Sequence, residues 1–199
     1  MPSIAITGSI AAGKSMATSF LAKRLAVSPF IADQEITNFL ENDQNVIQEL
    51  ITAFGRAIYS DKGEIDRVRL RAHLIKNSRS KQKLEAILHP RLRNQWLPRA
   101  QAAKGNRKIF FLAEIPLLYE NDLKDFFDDV VVVGACEKVL LHRLTNYRNL
   151  TSRVAHALIK LQWPLQEKIS RATYVVWNDG IIDFLEQQIM MLGLSILKS

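Results

Sequence analysis

Eight residues near the start of the chain, Gly8-Ser9-Ile10-Ala11-Ala12-Gly13-Lys14-Ser15, fit the pattern G-x-x-x-x-G-K-[ST] at every fixed position. Each residue type has its own chemical purpose. Glycines let the backbone turn its N–H groups around phosphate oxygens, and the helix that follows adds the positive end of its dipole. A lysine at position 14 reaches β- and γ-phosphates, and a serine hydroxyl at position 15 ligates Mg²⁺. The loop alone leaves kinase, ATPase and GTPase open. The N-K-x-D and D-x-x-G patterns of guanine-nucleotide switches are absent. A kinase acting on a hydroxyl needs a carboxylate beside the transferred group to orient or deprotonate the acceptor. Asp33 stands where an α/β sheet presents ligands, after the apolar run Phe30-Ile31-Ala32. The same aspartate fits the N-cap of a following helix, and both roles stay open on the residues alone.

These groups need a scaffold of strands and helices. Ser3 to Thr7 is a short apolar strand, and Met16, Phe20, Leu21 and Leu25 recur behind the loop at helical spacing. After Asp33 an unbroken helical stretch carries Ile36, Phe39, Leu40, Val46, Ile47, Leu50 and Phe54, and Gly55 stops it. A turn is expected over Tyr59 to Gly63, then helices from Asp66 to about Lys76 and from Ser80 to about Leu88. Pro90 suits the start of a further helix, and Pro98 is expected to kink or end its first part. Lys108 to Ala113 and Asp129 to Val133 read as buried parallel strands. A helix through Val139, Leu140 and Leu144 follows, then a polar, helix-prone segment from Thr151 to Lys168. Tyr174 to Trp177 supplies the last strand, Asn178-Asp179-Gly180 a turn, and Ile181 to Leu197 a closing helix. Alternating strands and helices predict a three-layer α/β domain with a parallel sheet, and the helical stretch between the second and third strands is an inserted lobe.

Bulk properties narrow the partners. The 199 residues are 48% hydrophobic and 24% charged, the balance of a globular domain with one sizeable core. A net charge of +7 suits anionic partners. The basic residues do not interleave with aromatic ones as in single-strand binders, so small phosphorylated substrates are expected and nucleic acid is not. Cys136 is the only cysteine, which excludes intramolecular disulfides and cysteine zinc clusters, and its place after a buried strand predicts a packed thiol. No apolar run reaches the roughly 18 residues of a spanning helix, so no membrane partner and a cytoplasmic location are expected.

With residues downstream, the loop resembles the dephospho-CoA kinase family, which phosphorylates the ribose 3′-hydroxyl of dephospho-CoA with ATP in the final step of coenzyme A biosynthesis. The likeness runs along nearly the whole chain: Ile6-Thr7-Gly8 and the loop, Ala32-Asp33, Phe54-Gly55, Asp66-Arg67 with Leu70-Arg71, and His89-Pro90. It continues through Ile115-Pro116-Leu117-Leu118-Tyr119-Glu120, Arg143-Leu144, Gln162-Trp163-Pro164, Lys168 and Asn178-Asp179-Gly180. The resemblance implies a P-loop kinase fold with a nucleotide-binding core over about 1–33, 107–142 and 169–199. It implies a helical CoA-binding lobe over about 34–106 and a lid over about 143–168. ATP and Mg²⁺ are the implied cofactors, dephospho-CoA the partner, and a monomer or weak homo-oligomer the expected state. Asp33 becomes the candidate general base, with Lys14 and Arg143 as its catalytic companions. ATP falls to Thr7, Gly8, Ala11, Ala12, Gly13, Lys14, Ser15 and Met16, with Arg143, Arg148 and Asn178, and Ser15 is the metal ligand. Asp33, Arg67, Arg71, His89 and Glu120 match family positions on the acceptor side.

Arg67 and Arg71, four apart on one helical face, also fit simple pairing with Glu64, Asp66 or solvent. His89 also fits a structural hydrogen bond, and Glu120 the cap of a turn. The chain departs from the family pattern at Ile31, where the first aspartate of D-A-D is lost. It departs again at Ser9 and Ala11 in the loop, at Met16, at Tyr147 in place of the second lid arginine, at Thr173 and at Gly134. Arg148 is one step beyond Tyr147, and one residue turns a helical side chain by about 100°. Two further readings therefore stay open: a nucleotide-binding regulatory protein that has lost catalysis, and a kinase of the same architecture for another nucleoside or small alcohol.

Overall fold

A computed structural model of the protein describes residues 3–60, 64–67, 69–70, 78–106 and 109–198. The chain divides into two compact units, one formed by Met1–Ile31 with Pro98–Ser199 and the other by Ala32–Leu97.

The first unit is built on β1 (Ser3–Gly8), β2 (Phe30–Ile31), β3 (Phe111–Glu114), β4 (Asp129–Gly134) and β5 (Tyr174–Trp177). They form one parallel sheet in the order β2-β3-β1-β4-β5. β1 is central, and all six of its residues are buried. Its two hydroxyl residues, Ser3 and Thr7, are buried with the rest, because helices cover both sides of the sheet. Ile4 and Ile6 pack with Leu21, Leu112, Val131 and Val133 in one core cluster. Each such side chain contributes about 1.5–3 kcal/mol on burial.

α1 (Lys14–Leu25) leaves the loop directly, α5 (Glu137–Asn146) follows β4, and α8 (Ile182–Lys198) closes the chain. α8 packs on α1. At the sheet's edge the Gln188 side chain of α8 treats β5 as a neighbouring strand would. Trp177 N–H donates to Gln188 Oε1 at 2.8 Å, and Gln188 Nε2 donates back to the Trp177 carbonyl at 2.8 Å. The polar segment after α5 forms α6 (Ser152–Lys160) and α7 (Leu165–Ser170), parted at Gln162-Trp163-Pro164.

The second unit is helical. The expected unbroken helix after Asp33 is in fact two, α2 (Ala32–Asn42) and α3 (Gln44–Phe54). Asp43 makes the break, because its carboxylate accepts from the N–H groups of Asn45 and Val46 and so caps a new helix. Gly55 ends α3 at φ 79°.

α4 (Ser78–Ala103) corrects another expectation, since it joins the helices expected before and after Pro90 and does not end at Pro98. Interior prolines cost a helix about 3 kcal/mol each. The compensation is a stripe of buried residues, Leu88, Leu92, Trp96, Ala100 and Ala103, spaced three or four apart on either side of Pro90 and Pro98. The helix expected from Asp66 to Lys76 lies mostly outside the described residues. Among the described residues, no helix is long and apolar enough to cross a membrane.

Candidate active site

The loop between β1 and α1 takes its shape from two glycines and one strained alanine. Gly8 has φ 142°, and a β-carbon there would run into the Val133 carbonyl of β4. Gly13 has φ 99°, and a β-carbon there would strike the Asn178 amide. Ala11 holds φ 59°, the left-handed region that L-residues with side chains avoid.

The sequence brings several predicted residues together around this loop. Lys14 folds back over it, donating to the Ser9 carbonyl at 3.0 Å and more weakly to that of Gly8 at 3.5 Å. Asn178 is buried and donates from Nδ2 to the Ala12 carbonyl at 2.8 Å. Arg143 projects from the last turn of α5. Its guanidinium donates to the carbonyls of Ala11 (3.2 Å), Ala12 (3.3 Å) and Asn178 (2.8 Å). Arg143 and Asn178 thus clasp the loop to the turn after β5. Thr7, fully buried, donates to the Pro116 carbonyl at 3.2 Å.

Ser15 points to a residue that sequence reasoning missed. Its Oγ donates to Glu114 Oε1 at 2.9 Å. Glu114 is the last residue of β3 and is only 3% exposed, and its second oxygen, Oε2, is buried without a hydrogen-bond partner among the described residues. A buried carboxylate oxygen lacking a partner costs free energy unless a cation answers it. The available signal was an acidic residue closing an apolar run just before Ile115-Pro116. Among the described residues no cluster of three or more His, Cys, Asp or Glu could hold a metal on protein ligands alone. The Ser15–Glu114 pair instead fits a cation that draws most of its ligands from phosphate and water.

Other candidates are placed differently. Asp33 is exposed in the first turn of α2, two residues beyond Ile31, which pairs with Glu114 in the sheet register. Met16 and Arg148 are exposed, as is Tyr147 at the end of α5. In the helical unit Arg67 pairs with Glu41 at 2.8 Å rather than with Glu64 or Asp66; Asp66 pairs with Arg69. His89 is exposed on α4, and Arg71 lies outside the described residues. Cys136 is exposed, which corrects the expectation of a packed thiol. It sits at the N-cap of α5, where its N–H donates to Asp179 Oδ1 at 2.7 Å.

Glu120 belongs to a buried ion pair. Its Oε1 lies 2.7 Å from Nζ of Lys168, a lysine with no exposed surface, and also accepts from the Trp163 N–H at 3.0 Å. Trp163 stacks on Tyr119 at 6.2 Å, and the Arg171 guanidinium lies 5.0 Å from the Trp163 ring centre. Burial pushes the Tyr119 phenol up to about 12, against the pull of Arg171.

A parallel sheet in this order, with a phosphate loop running from its central strand into α1, defines a P-loop kinase. The family profile described as dephospho-CoA kinase matches residues 3–183. A dephospho-CoA kinase from Geobacillus kaustophilus is 33% identical over 187 residues, covering 94% of this chain and 92% of its own. One from Protochlamydia amoebophila is 33% identical over 189 residues, with 94% and 92% covered. The chain belongs to the dephospho-CoA kinase family. Among solved structures, a Thermus thermophilus protein aligns with TM-score 0.78 at 26% identity, covering 98% of this chain and 97% of its own. A dephospho-CoA kinase from Campylobacter jejuni aligns with TM-score 0.68 at 25% identity and the same coverage. The shikimate kinase of Acinetobacter baumannii, at 18% identity and TM-score 0.52, shares the fold alone.

Proposed function

We propose that this kinase transfers the γ-phosphoryl group of ATP to the ribose 3′-hydroxyl of dephospho-CoA, with the phosphate loop and Asp33 as its working parts. The observation that carries this reading is the Ser15–Glu114 pair beside Lys14, in a chain whose family is that of dephospho-CoA kinases. Ser15 and Glu114 would hold Mg²⁺, which when bound neutralises phosphate charge as it develops.

Every other contribution comes from the chain. The loop amides and Lys14 bind the phosphates, and Lys14 exchanges its carbonyl partners for phosphate oxygens. Arg143 and Asn178 keep the loop backbone in register, so its N–H groups are organised before ligand arrives. Asp33, near the N-terminus of α2, takes or orients the acceptor's hydroxyl proton, leaving that oxygen free to attack in line. The helical unit, from which Arg67 and His89 are exposed, is the proposed acceptor lobe. The segment carrying α6 and α7 is the proposed lid.

A coupled assay of ADP release, with and without dephospho-CoA, tests the reaction. Release should depend on the acceptor. Asp33→Ala should cut turnover by about 10²-fold or more while ATP binding stays within about twofold, on the usual size of general-base effects. Full turnover in that variant would remove the base assignment.

A further inference from the structure

Gln162 is part of the Gln162-Trp163-Pro164 motif, and none of the chemistry above uses it. Its side chain reaches the phosphate loop: the backbone N–H of Ile10 donates to Gln162 Oε1 at 2.7 Å. Because the loop partner is an N–H donor, the accepting side-chain atom must be the amide oxygen. Ile10 lies between the two loop glycines and directly before Ala11, the first of the residues from Ala11 to Met16 expected to hold phosphate, so its N–H stands at the edge of that set.

The mount behind Gln162 is firm. The next residue, Trp163, is held at its N–H by Glu120, its ring stacks on Tyr119, and Glu120 is fixed by the buried Lys168. The side chain in front has three rotatable bonds and is half-buried. A neutral acceptor on a flexible side chain can give up a loop amide by rotating its own bonds.

We infer that Gln162 is a placeholder for a phosphate oxygen on the Ile10 N–H, displaced when nucleotide binds and returned when it leaves. The inference rests on the proposed nucleotide-binding role of the loop. Its physical content is competition. Nucleotide binding exchanges one acceptor for another at Ile10, so the net gain there is the difference between two hydrogen bonds. Gln162 is a positioning residue that keeps the loop amide aimed and lowers nucleotide affinity while doing so.

The sign of the effect separates this role from a structural one. Titration calorimetry with ADP and with ATP in the presence of magnesium should show Gln162→Ala binding each more tightly, by about two- to tenfold, the worth of one neutral hydrogen bond. Gln162→Glu, an anionic acceptor at the same point, should bind them more weakly than the native protein. In steady state, KM for ATP should fall in the alanine variant by the same factor as Kd, and any change in kcat should be smaller. A strut without competition predicts the reverse, and weaker or unchanged binding by Gln162→Ala would overturn the inference. If the alanine variant does not fold, Gln162→Met keeps the length without the acceptor and carries the same test. The binding arm needs no acceptor substrate, so it stands apart from the assay of dephospho-CoA phosphorylation. A native protein that binds nucleotide but makes no CoA would refute the proposed reaction and leave the Gln162 comparison intact.

Discussion

Ala11 occupies a left-handed backbone conformation, at φ 59°, in the loop that must follow the outline of a triphosphate. For an L-residue this geometry costs about 1–2 kcal/mol, part of which glycine would recover at some expense in unfolded-state entropy. Arg143 and Asn178 hold the loop there by bonding the carbonyls of Ala11 itself and of Ala12, the residue after it. Ala11→Gly should therefore stabilise the protein by up to about 1 kcal/mol, read from denaturant unfolding, and nucleotide affinity should not fall. Tyr119 offers a second residue-level test. Its buried hydroxyl has no hydrogen-bond partner among the described residues, and its pKa rises from 10 to about 12. A folded-state pKa above the unfolded value means that the stability tied to the proton is present below pH 10 and is lost as pH climbs toward 12. Native stability should drop by about 2–3 kcal/mol more across that window than the stability of Tyr119→Phe.

At this scale the sequence was readable where a residue type admits one chemistry. The glycines, Lys14 and Ser15 could be named from pattern alone. Glu114 could not, because nothing in an apolar run marks which flanking acid turns inward. The roles of Arg143 and Glu120 were equally hidden: a pattern marks a charged side chain but not which carbonyl or lysine it will face in the fold.

Among the elements, the strands were the most legible, since their Val- and Ile-rich runs are short and have no competing explanation. Helix breaks were the least legible. Asp43 divides a stretch whose apolar spacing continues across it, whereas Pro90 and Pro98 fail to divide one that local rules would cut. In both places packing and capping outweigh propensity. Two departures from the family pattern acquire a cause here. A β-carbon at Gly134 would lie 2.7 Å from the Trp177 ring, so a side chain on β4 has been given up to seat an aromatic on β5. Thr173 Oγ1 accepts from the Val130 N–H at 3.0 Å, beside Asp128 and Asp129, where a further carboxylate would add to their repulsion. The segment between α6 and α7 depends on a buried charge pair. Lys168→Met would strand Glu120 without its partner and should cost about 3–5 kcal/mol; adding Glu120→Leu should recover much of it. The measurement is chemical denaturation of the two single variants and the double.

For the whole molecule, ligand and stability are linked. If the phosphate loop binds ATP, nucleotide at about 100 times its Kd adds about 2.7 kcal/mol to unfolding. Asp33→Ala should keep that gain in a thermal shift assay, and Lys14→Ala should lose most of it. The family match ends at residue 183, just inside α8, yet α8 packs against α1, where a β-carbon at Gly193 would meet Arg24 Cγ at 2.5 Å. The helix that starts at the phosphate loop thus leans on a segment outside the matched region.

The Gln188 amide bears on a different hazard. One margin of the sheet, β2, is two residues long and offers little to a foreign chain. The other, β5, has its final backbone donor and acceptor covered by a side chain that copies a peptide group. Both routes to end-on templating, in which one molecule's border recruits the next, are thereby narrowed. Gln188→Ala should reopen that border, read as faster turbidity growth than the native protein near the melting temperature.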